Sequence, residues 1–278
     1  MSEERTVTMT YPIHTCLFTA LQFHGRELLS LAMSSKWLWF ERHLKVSFPE
    51  FIQVHQQSMV VTAFEIEYTA PFEFFDATQF TVNVTKVQLR QKKTVLEFHY
   101  EFSANNVIFS RVVIFFYLLV LSGDEALTAR PGEIDEKLLQ RFLPEEIDSS
   151  NTVRAVPKLL SKIENEGQLV TENNNVFTLY RHQCEVADQW CFIELPTLAS
   201  TGREKLITSL DDDPADLRST MGKPIKNIIA KLSCPFFLFD EGRVRTRAYL
   251  WNKQPVFVHH VFNVSRADKL AAVVIESF

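Results

Sequence analysis

Two stretches of this chain carry the same phrase. Ala70-Pro71-Phe72-Glu73-Phe74-Phe75-Asp76 and Cys234-Pro235-Phe236-Phe237-Leu238-Phe239-Asp240 both read x-Pro-Phe-x-x-Phe-Asp. Each opens a run of strand-like segments that closes in small and β-branched residues. The agreement continues past the phrase. Phe80-Thr81-Val82-Asn83-Val84-Thr85 sits without a gap against Val244-Arg245-Thr246-Arg247-Ala248-Tyr249, and Phe98–Phe102 falls on Val258–Phe262 if one hairpin is shortened. The chain is therefore expected to build one unit twice, with repeat 1 over residues 1–150 and repeat 2 over 151–278. At 278 residues it is long enough for roughly two domains. Seams between related units are frequent places for ligand sites.

The pattern along the chain sets the class of each repeat. From Arg26 to Leu44 there is no Gly or Pro, and apolar residues cover a wide arc at helical spacing, as expected of a helix wrapped on most sides. Strands are expected at Met59–Thr69, Gln79–Leu89, Thr94–Ser103 and Val107–Leu121. Turns fall at Gln91-Lys92-Lys93 and Ala104-Asn105-Asn106. Short helices are expected at Glu133–Phe142 and Val156–Glu166, separated by a polar Asp148-Ser149-Ser150-Asn151 stretch. The Glu172-Asn173-Asn174-Asn175 cluster reads as the end of this connecting region.

The order then recurs: a strand at Val176–Cys184, a helix from about Pro196 to Leu210, and a linker at Asp211-Asp212-Asp213-Pro214. Strands follow at Ile228–Leu232, Arg243–Trp251, Val256–Phe262 and Lys269–Ser277. This is an α+β fold in which each half curls an antiparallel sheet around a long central helix.

Composition narrows the function classes. The net charge of −5, with both signs interspersed, argues against a nucleic-acid partner. Four cysteines without CxxC spacing read as thiols of a reducing compartment, and no metal cluster, P-loop or dinucleotide fingerprint is present. Met1-Ser2-Glu3-Glu4-Arg5 has no apolar signal core, and the ten-residue apolar run Val112–Leu121 is too short to span a bilayer as a helix. A cytoplasmic location without a membrane span is expected. The 24 phenylalanines suit an apolar interior or a tunnel for a greasy substrate.

Glu67-Tyr68-Thr69-Ala70-Pro71, Phe75-Asp76, an alternating strand and Glu97-Phe98-His99-Tyr100-Glu101 resemble the sheet of the hotdog-fold acyl-thioester proteins, the thioesterase/dehydratase superfamily. His24-Gly25 before Leu28-Leu29-Ser30-Leu31-Ala32 resembles the start of that family's central helix. Pro235, Phe239-Asp240 and Leu270-Ala271-Ala272-Val273-Val274 repeat the sheet. The resemblance implies a tandem, or double, hotdog, either monomeric or a homodimer of double hotdogs. The ordering also resembles the leinamycin-type polyketide acyltransferase/decarboxylase. That enzyme's acyl-tyrosine has no matching Tyr here: Tyr68 is nearby on the strand, but the aligned position is Val61.

The function so implied is processing of an acyl-CoA or acyl-carrier-protein thioester by hydrolysis or acyl transfer, in polyketide or fatty-acid-type biosynthesis. A dehydratase on the same fold and a silent acyl- or carrier-binding module are the alternatives. No separate cofactor is expected, because phosphopantetheine or CoA arrives as part of the substrate. Gly25 and Arg26 at the helix start would face the oxygen that gains charge. His24 and Glu27 are the nearest ionisable groups, and Glu185, Asp188 and Glu194 are the acids in the matching region of the second half, with Asp188 the first candidate and Glu194 the next. Met33 stands where many relatives carry a catalytic acid. Trp37 and Tyr68 would line the acyl site, and Arg243 and Arg245 would meet a phosphate. Asp76 and Asp240 are expected to close turns.

Overall fold

The computed structural model describes residues 5–121, 129–148, 150, 155–185, 188–213 and 215–278. Met1–Glu4, Ser149, Asn151 and Pro214, which figure in the sequence reading, lie outside the described residues. The elements in chain order begin with β1 (Val7–Pro12), α1 (Gly25–Trp39), which runs into a π-helical turn at Phe40–Leu44, and α2 (Phe48–Gln53). Then come β2 (Gln57–Tyr68), β3 (Gln79–Arg90), β4 (Val95–Ala104), β5 (Val107–Leu121), β6 (Ala129–Pro131), α3 (Glu136–Leu139) and α4 (Ala155–Glu166). The chain closes with β7 (Gln168–Thr178), α5 (Leu195–Thr208), β8 (Asn227–Leu232), β9 (Glu241–Trp251), β10 (Gln254–Asn263) and β11 (Lys269–Ser277). Among the described residues no helix is long and apolar enough to cross a membrane.

Two compact units result. The first comprises Met1–Thr15, Leu28–Phe64 and Phe74–Val153; the second comprises Cys16–Glu27, Glu65–Glu73 and Arg154–Phe278. In the first unit the strand order is β1-β3-β4-β5-β2, and β6 pairs with β5. In the second it is β7-β9-β10-β11-β8. Matching β1 to β7, β3 to β9, β4 to β10, β5 to β11 and β2 to β8 makes the two orders identical. The ladders between β1, β3, β4 and β5 are antiparallel, as are those joining β7, β9, β10, β11 and β8. Both units use two-residue hairpin loops with positive φ at each central position, Asn105-Asn106 and Asn252-Lys253. That backbone matches the twist of the flanking strands and suits Asn.

The helices earn their places by burial. In the first unit Leu28, Leu29, Ala32, Trp39 and Phe40 are fully buried, and Trp39 meets Phe98 edge to face at 5.6 Å while its Nε1–H donates to the Arg5 carbonyl at 3.0 Å. In the second unit α5 packs on β7, β9, β10 and β11. Gly202 permits the approach: a Cβ there would sit 2.5 Å from Thr246 Oγ1. On the other face of the sheet α4 inserts Val156 and Ile163 among Tyr249, Val256, Val258, Val273 and Ile275.

Three expectations need correction. The strand expected at Val176–Cys184 is β7, Gln168–Thr178, eight residues earlier at its start. The Glu172–Asn175 cluster therefore lies inside a strand, opposite Arg247, Thr246, Arg245 and Val244. At the end of a strand order, polar residues face water and bond to neighbours: Arg247 donates to Glu172 at 2.8 Å and Arg243 to Asn174 at 3.1 Å. Finally, the match of Phe98 to Val258 puts the wrong faces together, since Phe98 meets α1 residues and Val258 packs with α4. The match across Phe80, Val82, Val84 and Val244, Thr246, Ala248 keeps the same buried alternation.

Candidate active site

A cavity of about 450 Å³ opens within the second unit. One wall is the segment Thr19–Arg26, which enters α1. Tyr68 and Ile228 form another, and Pro196, Thr197, Ser200, Thr201, Arg203 and Glu204 of α5 form a third. Thr220, Met221, Lys223 and Ile225 complete it.

Local bonding holds the entry to α1 in place. The His24 N–H donates to the Leu17 carbonyl at 2.8 Å, the Tyr68 hydroxyl to the Phe23 carbonyl at 2.9 Å, and the Ile225 N–H to Gln22 Oε1 at 2.6 Å. Gly25 is buried against Pro196, Ile228 and the Tyr68 hydroxyl, each 3.3–3.4 Å from where a Cβ would stand. A larger residue would force the helix start away from this wall. The first N–H groups of a helix lack intrahelical acceptors and carry the positive end of its dipole. At Gly25 and Arg26 they border the cavity.

The ionisable groups divide sharply. Burial pushes the half-buried His24 imidazole below its ordinary pKa; Glu27 pulls it back up and Arg26 adds to the lowering. The base form is thereby favoured at neutral pH. Arg26 Nε donates to Glu194 at 2.8 Å and its Nη1 to Glu27 at 2.6 Å, so both acids are held in ion pairs. Burial pushes the Tyr68 phenol well up and keeps it a donor. Deeper in the α5 wall lies a charged cluster. Arg203 is 7% exposed, and its Nη1 donates to the fully buried Glu276. Glu276 also lies 3.5 Å from Ser200 Oγ and 3.4 Å from His259 Nε2, while His259 Nδ1 bonds Thr246 Oγ1 at 3.0 Å.

His24, Gly25, Arg26 and Tyr68 thus share the cavity, with Glu27 and Glu194 tied to it through Arg26. The other expected site residues are elsewhere. Asp188 has a left-handed backbone, φ 53°, and an exposed carboxylate that accepts from Arg181 at 2.7 Å. It does not line the cavity. Met33 is half-buried on α1 in the first unit, and there Trp37 joins Phe40, Phe48 and Phe51 at 4.6–5.9 Å between ring centres. Arg243 is bound to Asp268 at 2.6 Å, and Arg245 lies 5.4 Å from the Phe262 ring. Both point away from the β9 face that α5 covers. Asp240 accepts from the Phe237 N–H at 2.9 Å and from Asn263 at 2.8 Å, which closes a turn.

Sequence reasoning missed Ser200, Arg203 and Glu276. One signal was available: Glu276 is the lone acid ending the apolar run Ala271–Ile275, and a charge in a buried strand requires a partner.

The whole chain is similar in structure to solved thioesterases. A putative oleoyl thioesterase from Lactobacillus plantarum aligns with a TM-score of 0.70 at 10% identity, over 98% of this chain and 94% of its own. An acyl-ACP thioesterase from Bacteroides thetaiotaomicron aligns at 0.68 and 11% identity, over 100% of each chain. The 12:0-ACP thioesterase from Umbellularia californica aligns at 0.69 and 8% identity, over 98% of this chain and 93% of its own. No family model and no curated protein matches the chain. The α+β double hotdog expected from the sequence is the fold of this protein.

Proposed function

We propose that this protein hydrolyses acyl thioesters delivered by CoA or an acyl carrier protein, with the chemistry in the second unit's cavity. The observation that carries the reading is the junction of His24, Gly25 and Arg26: a helix start and a base-form imidazole on one cavity wall. The likeness to solved thioesterases supports it. In this reading the thioester carbonyl oxygen lies against the first N–H groups of α1, which stabilise the charge it gains. His24 takes a proton from water as the water oxygen adds to the carbonyl carbon. The tetrahedral intermediate then collapses, the C–S bond breaks, and the imidazolium returns its proton to the leaving thiolate. Gly25 allows the close approach, and Arg26 anchors Glu27 and Glu194. The setting attached to this reading is polyketide- or fatty-acid-type biosynthesis.

A second reading, an acyl- or carrier-binding module without chemistry, is favoured by one observation. Glu27, Glu194 and Asp188 are all held in ion pairs with arginines. Incubating the full chain with a panel of acyl-CoA and acyl-carrier thioesters separates the two, with thiol release and product mass as readouts. Hydrolysis that His24→Ala lowers by about 100-fold supports the first reading, since a general base contributes on the order of 10²–10⁴. Carrier binding with no thiol release from any substrate establishes the second.

A further inference from the structure

We propose that the α5 wall makes the cavity selective for acyl chains that carry a neutral oxygen, a hydroxyl or keto group, read by Ser200 and Arg203. The inference rests on the thioester reading and names its substrate class. A plain fatty chain asks for apolar walls, and α5 does not provide one. Thr197, Ser200, Thr201 and Glu204 recur at helical spacing along the cavity side of α5, with Arg203 between them.

The bonding at Arg203 leaves donor capacity unused. Its Nη1 is engaged by Glu276, but Nη2 stands 3.5 Å from Ser200 Oγ, at the long limit of a hydrogen bond. Ser200 Oγ is likewise 3.5 Å from Glu276 Oε1. An alkyl chain laid here would seal these groups from water and offer nothing in exchange, which is costly. A chain oxygen would accept the hydrogen bonds that the protein leaves open.

Charge decides which oxygen. Arg203 is flanked by two carboxylates: Glu276, fully buried and held below its usual pKa by Arg203 and His259 against the raising effect of burial, and Glu204, 3.9 Å from Nη2. A third carboxylate on the substrate would meet two acids for one guanidinium. A hydroxyl or carbonyl oxygen meets no such repulsion.

The experiment compares kcat/KM of the full chain for matched CoA thioesters of one chain length: saturated, 3-hydroxy, 3-oxo and ω-carboxy. A preference of about 10-fold or more for the hydroxy or oxo substrate over the saturated one is expected, because a site that hydrogen-bonds a substrate oxygen rejects the analogue lacking it. The ratio should fall to about 2-fold or less in Ser200→Ala. Arg203→Met combined with Glu276→Gln should do the same without stranding a buried charge, its folding being checked by the thermal midpoint. Equal use of saturated and oxygenated chains, or preference for the ω-carboxy chain, overturns the inference while leaving the thioester reading intact. If no thioester is turned over, calorimetric binding of 3-hydroxyacyl-CoA against acyl-CoA still decides: equal affinities sink it, and tighter binding of the hydroxy form sustains it.

Discussion

At the scale of single residues, two histidines carry opposite assignments and both are testable by pH. His24 sits half-buried at the cavity with its pKa pushed down by burial. If it is the base, kcat/KM falls as acid protonates it, with the limb below the ordinary histidine value of about 6.5. A rate–pH profile of thiol release should show this limb in the wild type and lose it in His24→Ala. His260 is buried on the other face of the second unit's sheet, beside Arg245 and Arg247, and its pKa is lowered to about 4 by burial, then by those arginines and His259. The unfolded chain takes up this proton near pH 6.5, whereas the folded chain resists until about 4. The stability gained is therefore complete above pH 6.5 and is lost as pH falls between these values, about 3 kcal/mol in all. Urea unfolding at pH 7.5 and 4 should show the wild type losing more stability than His260→Phe by an amount of that order.

At the scale of elements, Gly202 sets the fit of α5 on β9. Alanine in a helix interior ordinarily gains about 1 kcal/mol over glycine. Here the added methyl lands 2.5 Å from the buried Thr246 hydroxyl and 3.4 Å from His259 Nδ1, so overpacking at about 1–3 kcal/mol wins. Gly202→Ala should lower the unfolding free energy, and less so in a Thr246→Ala background, where the short contact is gone. Helix α1 was legible in the sequence because Arg26–Leu44 lacks Gly and Pro, and Leu28, Leu31, Ala32 and Leu38, with Leu29, Met33, Trp37 and Phe40, make a wide apolar arc at helical spacing. Strand β7 was not. Its Glu172-Asn173-Asn174-Asn175 run has the composition of a loop, and only pairing with β9 makes it a strand. Local propensity is a weak guide where one edge of a strand is supplied by sequence-distant partners.

At the scale of the whole molecule, the same strand order occurs in both units, and it predicts where the backbone opens first. Strands β4 and β10 are paired on both sides, whereas β1 and β7 end their orders. Hydrogen exchange should be slowest in β4 and β10 and faster in β1 and β7; uniform protection across each unit would contradict the assigned order. The doubled Pro-Phe-x-x-Phe-Asp phrase, the apolar arc of α1 and the alternating strands determined the fold class and the duplication, because these are periodic signals that each segment carries alone. The cavity was decided only in three dimensions. It gathers Thr19–Arg26, Tyr68 and α5 from three distant stretches of chain, leaves Asp188 in an exposed pair with Arg181, and joins Arg203 to Glu276 across 73 residues. Distances between side chains from remote segments follow from packing, and no local pattern of residues encodes them.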